Sequence, residues 1–424
     1  MSVRNTILFL FLGFCQICHG KYGFRGEQEW GFVTVRPSAN IFYWLHYTTA
    51  NVSSYTEKPL IIWLEGGPGV SSTGYTNFKE IGPFYLNLTS RSNSLVKDYN
   101  ILFIDSPVGT GFSYVDSNEG IPKTDKQVAM DLLTLIEKFF NDFPNLSNVP
   151  TYIVGQSYGG KIAVLFAYEW LQKIQNGWNI TNLKGVELSS PWIAPDHSVL
   201  SMAPYLYEKG LINARGYKVI TDFAFQSFLC SHMKDWKCAS VHTQQTYEAI
   251  IHTVKNIYFY NILTQVNTSN ITPYNDDDIA INSLMEDEVR LALNLPEFSL
   301  FESFIYQTDD YIKEQTMIPV TKEVEYLVNQ PNFKVYVLNG QLDLIINPIG
   351  TLHWVENLKW KNSSEWIAAR KEPLIINNSL EGYVKAYGNL RMYWVERAGH
   401  VITVENPAAT RKILKDLTTD GLSN

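Results

Sequence analysis

The sequence has little cysteine, no dense run of basic residues and, after residue 20, no long hydrophobic run. Its 34 lysines and arginines are outnumbered by 42 acidic residues, so it lacks the basic surface that binds nucleic acid. No later apolar run approaches the roughly 20 residues of a membrane-spanning helix. Internal repeats and low-complexity tracts are also missing. We therefore expect a soluble globular protein with a large core and with neither a nucleic-acid partner nor a membrane span.

Sequence signatures of metal and phosphate binding are missing as well. The 8 histidines show no H-E-x-x-H or similar zinc spacing. The glycines of Trp63–Ser72 ("WLEGGPGVSS") are not followed by G-K-S/T or by G-x-G-x-x-G, which phosphate-binding loops carry. The acidic stretch Asn275–Asp278 lacks the alternating spacing of a calcium loop and is typical of a solvated loop that leads into a helix. We expect neither a metal nor a cofactor.

The N-terminus predicts a signal peptide. Arg4 supplies a short positive region, an apolar stretch runs from Ile7 to Cys15, and Cys18 and Gly20 are small residues that suit a cleavage site. The apolar stretch is too short to span a bilayer, although a membrane anchor is the alternative interpretation. We assign residues 1–20 to the signal peptide and 21–424 to one mature domain.

Cysteines and glycosylation sequons fit a secreted chain. Cys15 and Cys18 leave with the signal peptide, and we predict that Cys230 and Cys238 form one disulfide in an oxidising compartment. Two free buried thiols are the alternative. N-x-S/T sequons begin at Asn51, Asn87, Asn145, Asn179, Asn267, Asn270, Asn362 and Asn377. Their spread along the chain predicts a glycoprotein that is secreted or lysosomal.

Buried-strand patterns alternate with helical patterns, which is typical of an α/β fold with a mostly parallel sheet. The predicted strands are Pro59–Gly67, Asn100–Pro107, Thr151–Gln156, Leu183–Ser190, Lys334–Gly340 and Arg391–Gly399. Helices are predicted between them, notably Lys126–Phe143 and Lys161–Gln175, and Asn406 is expected to cap a last helix that Pro407 opens. The helix-rich segment from about Pro195 to Phe304 interrupts this alternation. We expect it to form a cap over the carboxyl edge of the sheet.

A serine lies where one predicted strand changes into a helix. In "TYIVGQSYGGKIAVL" (Thr151–Leu165), Gly155 and Gly159 flank Ser157. This is the G-x-S-x-G nucleophile elbow, a turn so tight that its flanking positions must be glycine, from which the serine projects above the sheet. An ordinary small residue at a bend is the alternative, but the strand before and the helix after favour a nucleophile.

A serine nucleophile needs a base and a carboxylate that orients the base, and on this type of fold they follow in the order Ser, Asp or Glu, His. Asp343 and His400 each lie just past the end of a predicted strand, in that order. Taken singly, Asp343 would be a turn residue and His400 a loop histidine. Together with Ser157 they predict a catalytic triad.

An oxyanion hole needs two backbone amides near the nucleophile. We predict that the amide of Tyr158, directly after the serine, supplies one of them. Gly67 supplies the other, because a glycine can turn its N–H inward without a side chain in the way.

The sequence also resembles a known family. The matching blocks are "WLEGGPGVSSTGYTNFKEIGPF", "NILFIDSPVGTGFSY", "VGQSYGGK", "FYNIL", "LNGQLDLI" and "AGH", between about residues 29 and 417. They resemble the serine carboxypeptidases of the α/β-hydrolase fold, most of all the retinoid-inducible type. The resemblance implies a mostly parallel sheet with helices on both faces, and the same triad and oxyanion hole. It also implies removal of single residues from peptide C-termini, usually at acidic pH, in lysosomes or outside the cell.

The chain departs from the family pattern where the substrate's terminal carboxylate binds. The family usually has Asn or Gln at position 65 and Glu at position 156, whereas this chain has Glu65 and Gln156, and Val401-Ile402-Thr403 replaces Met-Val-Pro. Because an ionised Glu65 only accepts hydrogen bonds, we expect Glu65, Gly66 and Gln156 to bind a carboxylate in acid, with the peptide KM rising between about pH 5 and 7. The alternative is that the exchange abolished carboxylate binding.

The sequence therefore predicts a secreted or lysosomal serine carboxypeptidase that acts on peptide or protein C-termini through an acyl-enzyme. An esterase or acyltransferase on the same triad, and an inert binding or protective protein, are the alternatives. The oligomeric state stays open, with a homodimer among the options.

Overall fold

In a computed structural model of the protein, which describes residues 26–266, 276–303 and 310–419, a single sheet organises the chain. The predicted signal peptide, with Cys15 and Cys18, lies outside the described residues, and so do Asn267 and Asn270. The strands are β1 (Gln28–Arg36), β2 (Ala39–His46), β3 (Leu60–Leu64), β4 (Asn100–Ile104), β5 (Tyr114–Val115), β6 (Thr151–Gln156), β7 (Leu183–Ser189), β8 (Lys334–Gly340), β9 (Lys371–Ile376), β10 (Ser379–Tyr387) and β11 (Leu390–Val395).

The centre of the sheet is parallel and its flanks are antiparallel. The strand order is β1-β2-β4-β3-β6-β7-β8-β11-β10-β9, with β5 paired to β2. The strands from β4 through β11 in this order pair in parallel, whereas β1, β2, β5, β9 and β10 pair antiparallel. Parallel neighbours present their carboxyl ends at one edge, where ligands bind in such sheets. The predicted α/β fold is confirmed.

Helices surround the sheet. Those of the described residues are α1 (Asp125–Asp142), α2 (Tyr158–Gln175), α3 (Pro195–Leu200), α4 (Met202–Glu208), α5 (Ala214–His232), α6 (Trp236–Thr253), α7 (Asp276–Leu284), α8 (Arg290–Ala292), α9 (Asp310–Met317), α10 (Thr321–Val328), α11 (Pro348–Glu356), α12 (Ser363–Ala368), α13 (Ile402–Glu405) and α14 (Pro407–Thr418). Segments of 3-10 or π helix add Tyr55–Glu57, Ser72–Ile81, Leu95–Lys97, Asn118–Gly120, Pro144–Asn148 and Met285–Val289.

Both faces of the sheet are buried, because successive residues of each central strand point to opposite sides. Ile62 packs in the core cluster that contains the apolar faces of α1, α2, α10 and α11. Its neighbours Ile61 and Trp63 pack in a second cluster with α14. Strands covered on both faces read as continuous apolar runs, which is why the six predicted strands coincide with β3, β4, β6, β7, β8 and β11. The predicted cap of the last helix is also present, since the Asn406 side chain accepts the Ala409 amide at 3.1 Å.

The segment between β7 and β8 reaches the carboxyl edge of the sheet. Its described residues form α3 to α10 and no named strand. The Phe259 carbonyl accepts the Leu344 amide at 3.0 Å, and the Tyr260 carbonyl accepts the His400 amide at 2.7 Å. The inserted segment is thereby tied to the two loops that carry the predicted aspartate and histidine.

Cys230, in the last turn of α5, is joined by a disulfide to Cys238, in the first turn of α6, with their Cα atoms 5.6 Å apart. The bond closes a short helix–helix turn against Ala239 and Met317. The predicted disulfide is confirmed.

We expect non-reducing peptide mapping of the purified protein to recover Cys230 and Cys238 as one linked pair that separates after reduction. In the chain-entropy model a loop of this length contributes about 2–3 kcal/mol to the free energy of unfolding, so reduction should also lower Tm. Recovery of both residues as alkylated thiols without reduction would contradict the assignment.

The surface is compatible with the predicted sequons. Asn51, Asn87, Asn145, Asn179 and Asn377 are exposed, and Asn362 is half-buried. Within residues 26–266, 276–303 and 310–419, no helix combines the length and apolarity needed to cross a bilayer.

Candidate active site

Ser157 occupies a strained turn between β6 and α2. Its backbone has φ 57° and ψ −123°, a combination that non-glycine residues rarely adopt and that a nucleophile elbow requires. A Cβ atom on Gly155 would lie 2.4 Å from the Gly159 carbonyl oxygen, and one on Gly159 would lie 2.3 Å from the Leu64 carbonyl oxygen. Both flanking positions therefore exclude any side chain, as the sequence predicts.

Asp343 and His400 are brought together at the same edge of the sheet. The Nδ1–H group of His400 donates to Asp343 Oδ2 at 2.8 Å, and both side chains are buried. The Ile346 amide donates to Asp343 Oδ1 at 3.0 Å. Burial raises the pKa of Asp343, and His400 opposes that rise. The carboxylate is thus held by two donors and fixes one face of the imidazole.

The second ring nitrogen of His400, Nε2, is available to act as a base. Its Nε2 atom is buried and has no hydrogen-bond partner among the described residues. The Tyr260 ring packs edge-on against the imidazole, with centroids 4.6 Å apart and planes at 81°. With Nδ1–H donating to Asp343, Nε2 carries the lone pair that a general base needs.

The glycine loop after β3 lies against the nucleophile. A Cβ atom on Gly66 would lie 2.6 Å from the Cβ of Ser157, so only glycine fits there. The Gly66 amide donates to Glu65 Oε1 at 3.0 Å. Gly67 has φ +110°, which favours glycine, and reverses the chain next to the serine. Tyr158 opens α2, so its amide belongs to the helix N-terminus, where the peptide dipoles favour negative charge.

Glu65 is a buried carboxylate with four donors. Gly66 N–H and Gln156 Nε2 donate to its Oε1, each at 3.0 Å. Trp63 Nε1 and Thr76 Oγ1 donate to its Oε2 at 3.3 and 2.6 Å. Burial raises the pKa of Glu65, and these hydrogen bonds oppose the rise. Glu65 therefore has the hydrogen-bond set of an ionised carboxylate, with no lone pair left over for a substrate.

A second buried carboxylate, Glu80, faces the same amide. Gln156 Nε2 donates to Glu80 Oε1 at 3.2 Å, and Thr403 Oγ1 donates to Glu80 Oε2 at 2.5 Å. Burial, and then the charge of Glu65, raise the pKa of Glu80 to about 8. Both amide hydrogens of Gln156 are therefore used by carboxylates, which differs from the expectation that they are available to a substrate.

The remaining polar atom of this cluster is an acceptor. Gln156 Oε1 is buried and has no hydrogen-bond partner among the described residues. Sequence reasoning missed Glu80 and Thr403, which are 323 residues apart along the chain. The chain carries only an indirect signal for them, because Thr403 stands in the short segment that departs from the family pattern.

Metal-ligand spacing occurs in one place within the described ranges. Cys230, Cys238 and His242 bring their ligand atoms within 4.8 Å of one another. Both sulfurs belong to the disulfide, however, and are not available as thiolates.

Comparisons with known proteins report on the family and on the fold of this chain. The sequence model of the serine carboxypeptidase family matches residues 19–420. The retinoid-inducible serine carboxypeptidase of Rattus norvegicus is 33% identical over 421 residues, covering 93% of this chain and 92% of the relative. The vitellogenic carboxypeptidase of Aedes aegypti is 30% identical, covering 90% of this chain and 81% of the relative. The crystal structure of Kex1, a prohormone-processing carboxypeptidase from Saccharomyces cerevisiae, shares the fold with a TM-score of 0.79 and 22% identity, covering 94% of this chain and 93% of that one.

Proposed function

Because the chain belongs to the serine carboxypeptidase family and is thus a serine-type hydrolase of peptide C-termini, we propose that Ser157, His400 and Asp343 carry out its reaction. The observation that carries this proposal is the hydrogen bonding of the two ring nitrogens of His400. One ring nitrogen is bound to a buried carboxylate, and the other is buried with no hydrogen-bond partner in the part of the chain that the structure describes. Both lie at the edge of the sheet where the strained Ser157 turn lies.

The reaction follows from these roles. Ser157 Oγ attacks the carbonyl carbon of the last peptide bond while its proton passes to His400 Nε2. The tetrahedral intermediate collapses, the C–N bond breaks, and the leaving amine takes that proton from Nε2. A water then attacks the acyl-enzyme, again giving a proton to Nε2, which returns it to Ser157 as the shortened peptide leaves. Asp343 keeps the imidazole in the reactive tautomer and stabilises its charged form.

The oxyanion of both intermediates lies between the Gly67 and Tyr158 amides. The Gly66 amide is bound to Glu65, so the next amide in the loop is the better candidate. Backbone donors that are already in place lose no free energy to reorganisation when the negative charge develops. Removal of one such donor typically costs about 10²–10³ in kcat.

We propose that Gln156 binds the substrate's terminal carboxylate, that Glu65 and its hydrogen bond to Gly66 hold Gln156 in place, and that Glu80 is the group that titrates. At low pH Glu80 is neutral and can donate a hydrogen bond. One N–H group of Gln156, which donates to anionic Glu80 at higher pH, is then released for a substrate carboxylate, while the other still donates to Glu65 Oε1. This release provides the donor that an anionic carboxylate needs, and it requires a protonated Glu80, which persists up to about pH 8.

We also propose that the protein enters the secretory route. The disulfide and the exposed sequons support passage through the endoplasmic reticulum, followed by secretion or delivery to lysosomes. The helical segment between β7 and β8 acts as a cap, since its backbone holds both the Asp343 and His400 loops.

We expect a mixture of synthetic peptides, incubated with the purified protein at about pH 5, to lose single C-terminal residues in succession, as read by mass spectrometry. Peptides with a C-terminal amide should stay intact, because they lack the carboxylate. A serine-reactive phosphonate should label Ser157 and stop the trimming. Internal cleavage, or equal trimming of the amidated peptides, would contradict the carboxylate-binding proposal.

A further inference from the structure

A buried ion pair lies beneath the residue that follows the nucleophile. Lys161 Nζ contacts Asp125 Oδ2 at 2.8 Å, with side-chain exposures of 0% and 9%. Tyr158 Oη donates to both oxygens of the same carboxylate, at 2.7 and 2.8 Å. One aspartate at the start of α1 thus holds two side chains from the first turn of α2.

The Asp125–Lys161 ion pair also binds α9, through two hydrogen bonds to Gln315. Lys161 Nζ donates to the Gln315 carbonyl oxygen, and the Asp125 amide donates to Gln315 Oε1 at 3.2 Å. Burial lowers the pKa of Lys161, while the Asp125 carboxylate opposes that change. The positive charge of Lys161 is therefore matched by Asp125 and by a backbone carbonyl. The helices α1, α2 and α9 thus contact one another at this ion pair.

A small cavity gives Tyr158 room to move if the contacts of Asp125 and Lys161 are removed. It measures about 20 Å³ and is bounded by Gly66, Asp125, Tyr158, Ile162, Ile312 and Gln315, among others. Tyr158 and Asp125 both border the cavity, and Lys161 Nζ lies 5.1 Å from the centroid of the Tyr158 ring. Without its hydroxyl anchor, the ring could shift toward Gly66, and the first turn of α2 would shift with it.

We infer that Asp125 and Lys161 are positioning residues for the oxyanion hole: they clamp the first turn of α2 and thereby fix the amide of Tyr158. This inference rests on the proposed role of Tyr158. It goes beyond that role, because neither side chain is placed in contact with the reacting atoms. A displacement of an oxyanion donor weakens binding of the transition state more than binding of the substrate.

The test compares single and double variants. Removing one partner of a buried ion pair leaves an uncompensated charge and destabilises the fold, whereas replacing both partners with neutral groups of similar size is often tolerated. The informative variant is therefore Asp125→Leu with Lys161→Met, which leaves the Tyr158 hydroxyl without the Asp125 acceptor. It is read beside Tyr158→Phe, which removes only the hydroxyl anchor. Thermal unfolding of each variant reports on the fold separately from kcat.

We expect both the double variant and Tyr158→Phe to stay folded with kcat lowered about 10- to 100-fold and the peptide KM changed less than about threefold. Combining all three substitutions should cost little more than the double variant, because they break the same clamp. A folded double variant with wild-type kcat would overturn the inference and leave the proposed function intact. A wild-type protein without Ser157-dependent turnover would instead overturn the proposed function, and this inference with it.

Discussion

Replacing Ser157 with Ala is expected to lower kcat for peptide hydrolysis by about 10⁴–10⁶ while the protein stays folded. The loss follows because no other group can form the acyl-enzyme, and only the oxyanion hole and substrate binding remain. Folding should survive, because Ser157 is half-buried and its strained backbone is held by the flanking glycines and by its backbone hydrogen bonds, such as Ser157 N–H to the Ser189 carbonyl at 2.9 Å. Mass spectrometry of a single peptide, with thermal unfolding in parallel, measures both.

His400→Ala should cost about as much, and the double substitution little more than either, because triad residues act as one unit. Ser117→Ala is a matched control, since Ser117 is exposed and its side chain makes no capping hydrogen bond. A Ser157→Ala protein that retains a tenth of the activity would rule out the proposed nucleophile.

The KM of a peptide substrate is expected to stay low in acid and to rise about tenfold per pH unit above the pKa of Glu80, which is about 8. The KM rises with pH because only the protonated form of Glu80 can donate a hydrogen bond. Burial raises this pKa, so the protonated, hydrogen-donating form persists far above the usual range and disappears as the pH climbs through 8. The sequence alone placed the rise between about pH 5 and 7, because it did not reveal this second, buried carboxylate.

Glu80→Gln tests this directly. A glutamine at this position donates a hydrogen bond at every pH, so the KM should stay low and flat across the range. Glu65→Gln is the matched variant, and it should leave most of the rise in place, since Glu65 already accepts four hydrogen bonds. Superimposable KM profiles for wild type and Glu80→Gln would show that Glu80 does not control carboxylate binding.

Sequence patterns predicted the centre of the sheet well and its flanks poorly. Buried parallel strands such as β6 are continuous apolar runs, which stand out in the sequence. By contrast, β9 and β10 mix exposed charged and apolar residues, and no pattern separates them from loops. At their turn Asn377 and Asn378 both have the positive φ that marks a hairpin, which only the backbone geometry reveals.

The positions of Ser157, Asp343 and His400 were predictable because each residue follows a strand that the sequence reveals. The carboxylate cluster was not, because Glu80 lies in a π-helical turn and meets Gln156 and Thr403 only through the fold. Motif spacing carries information about neighbours in the chain. It carries none about which distant residues share a buried site.

The sheet order has a consequence for how the cell makes this protein. β11 is the last strand to be synthesised, yet it pairs with β8 inside the sheet, and the loop after it holds His400. A nascent chain that lacks this strand also lacks His400, the proposed base, and contacts between such distant segments form late and slowly. Peptidase activity therefore appears only after nearly the whole chain has left the ribosome and the sheet has formed. Neighbouring proteins of the biosynthetic machinery are thus protected from cleavage by an incomplete chain.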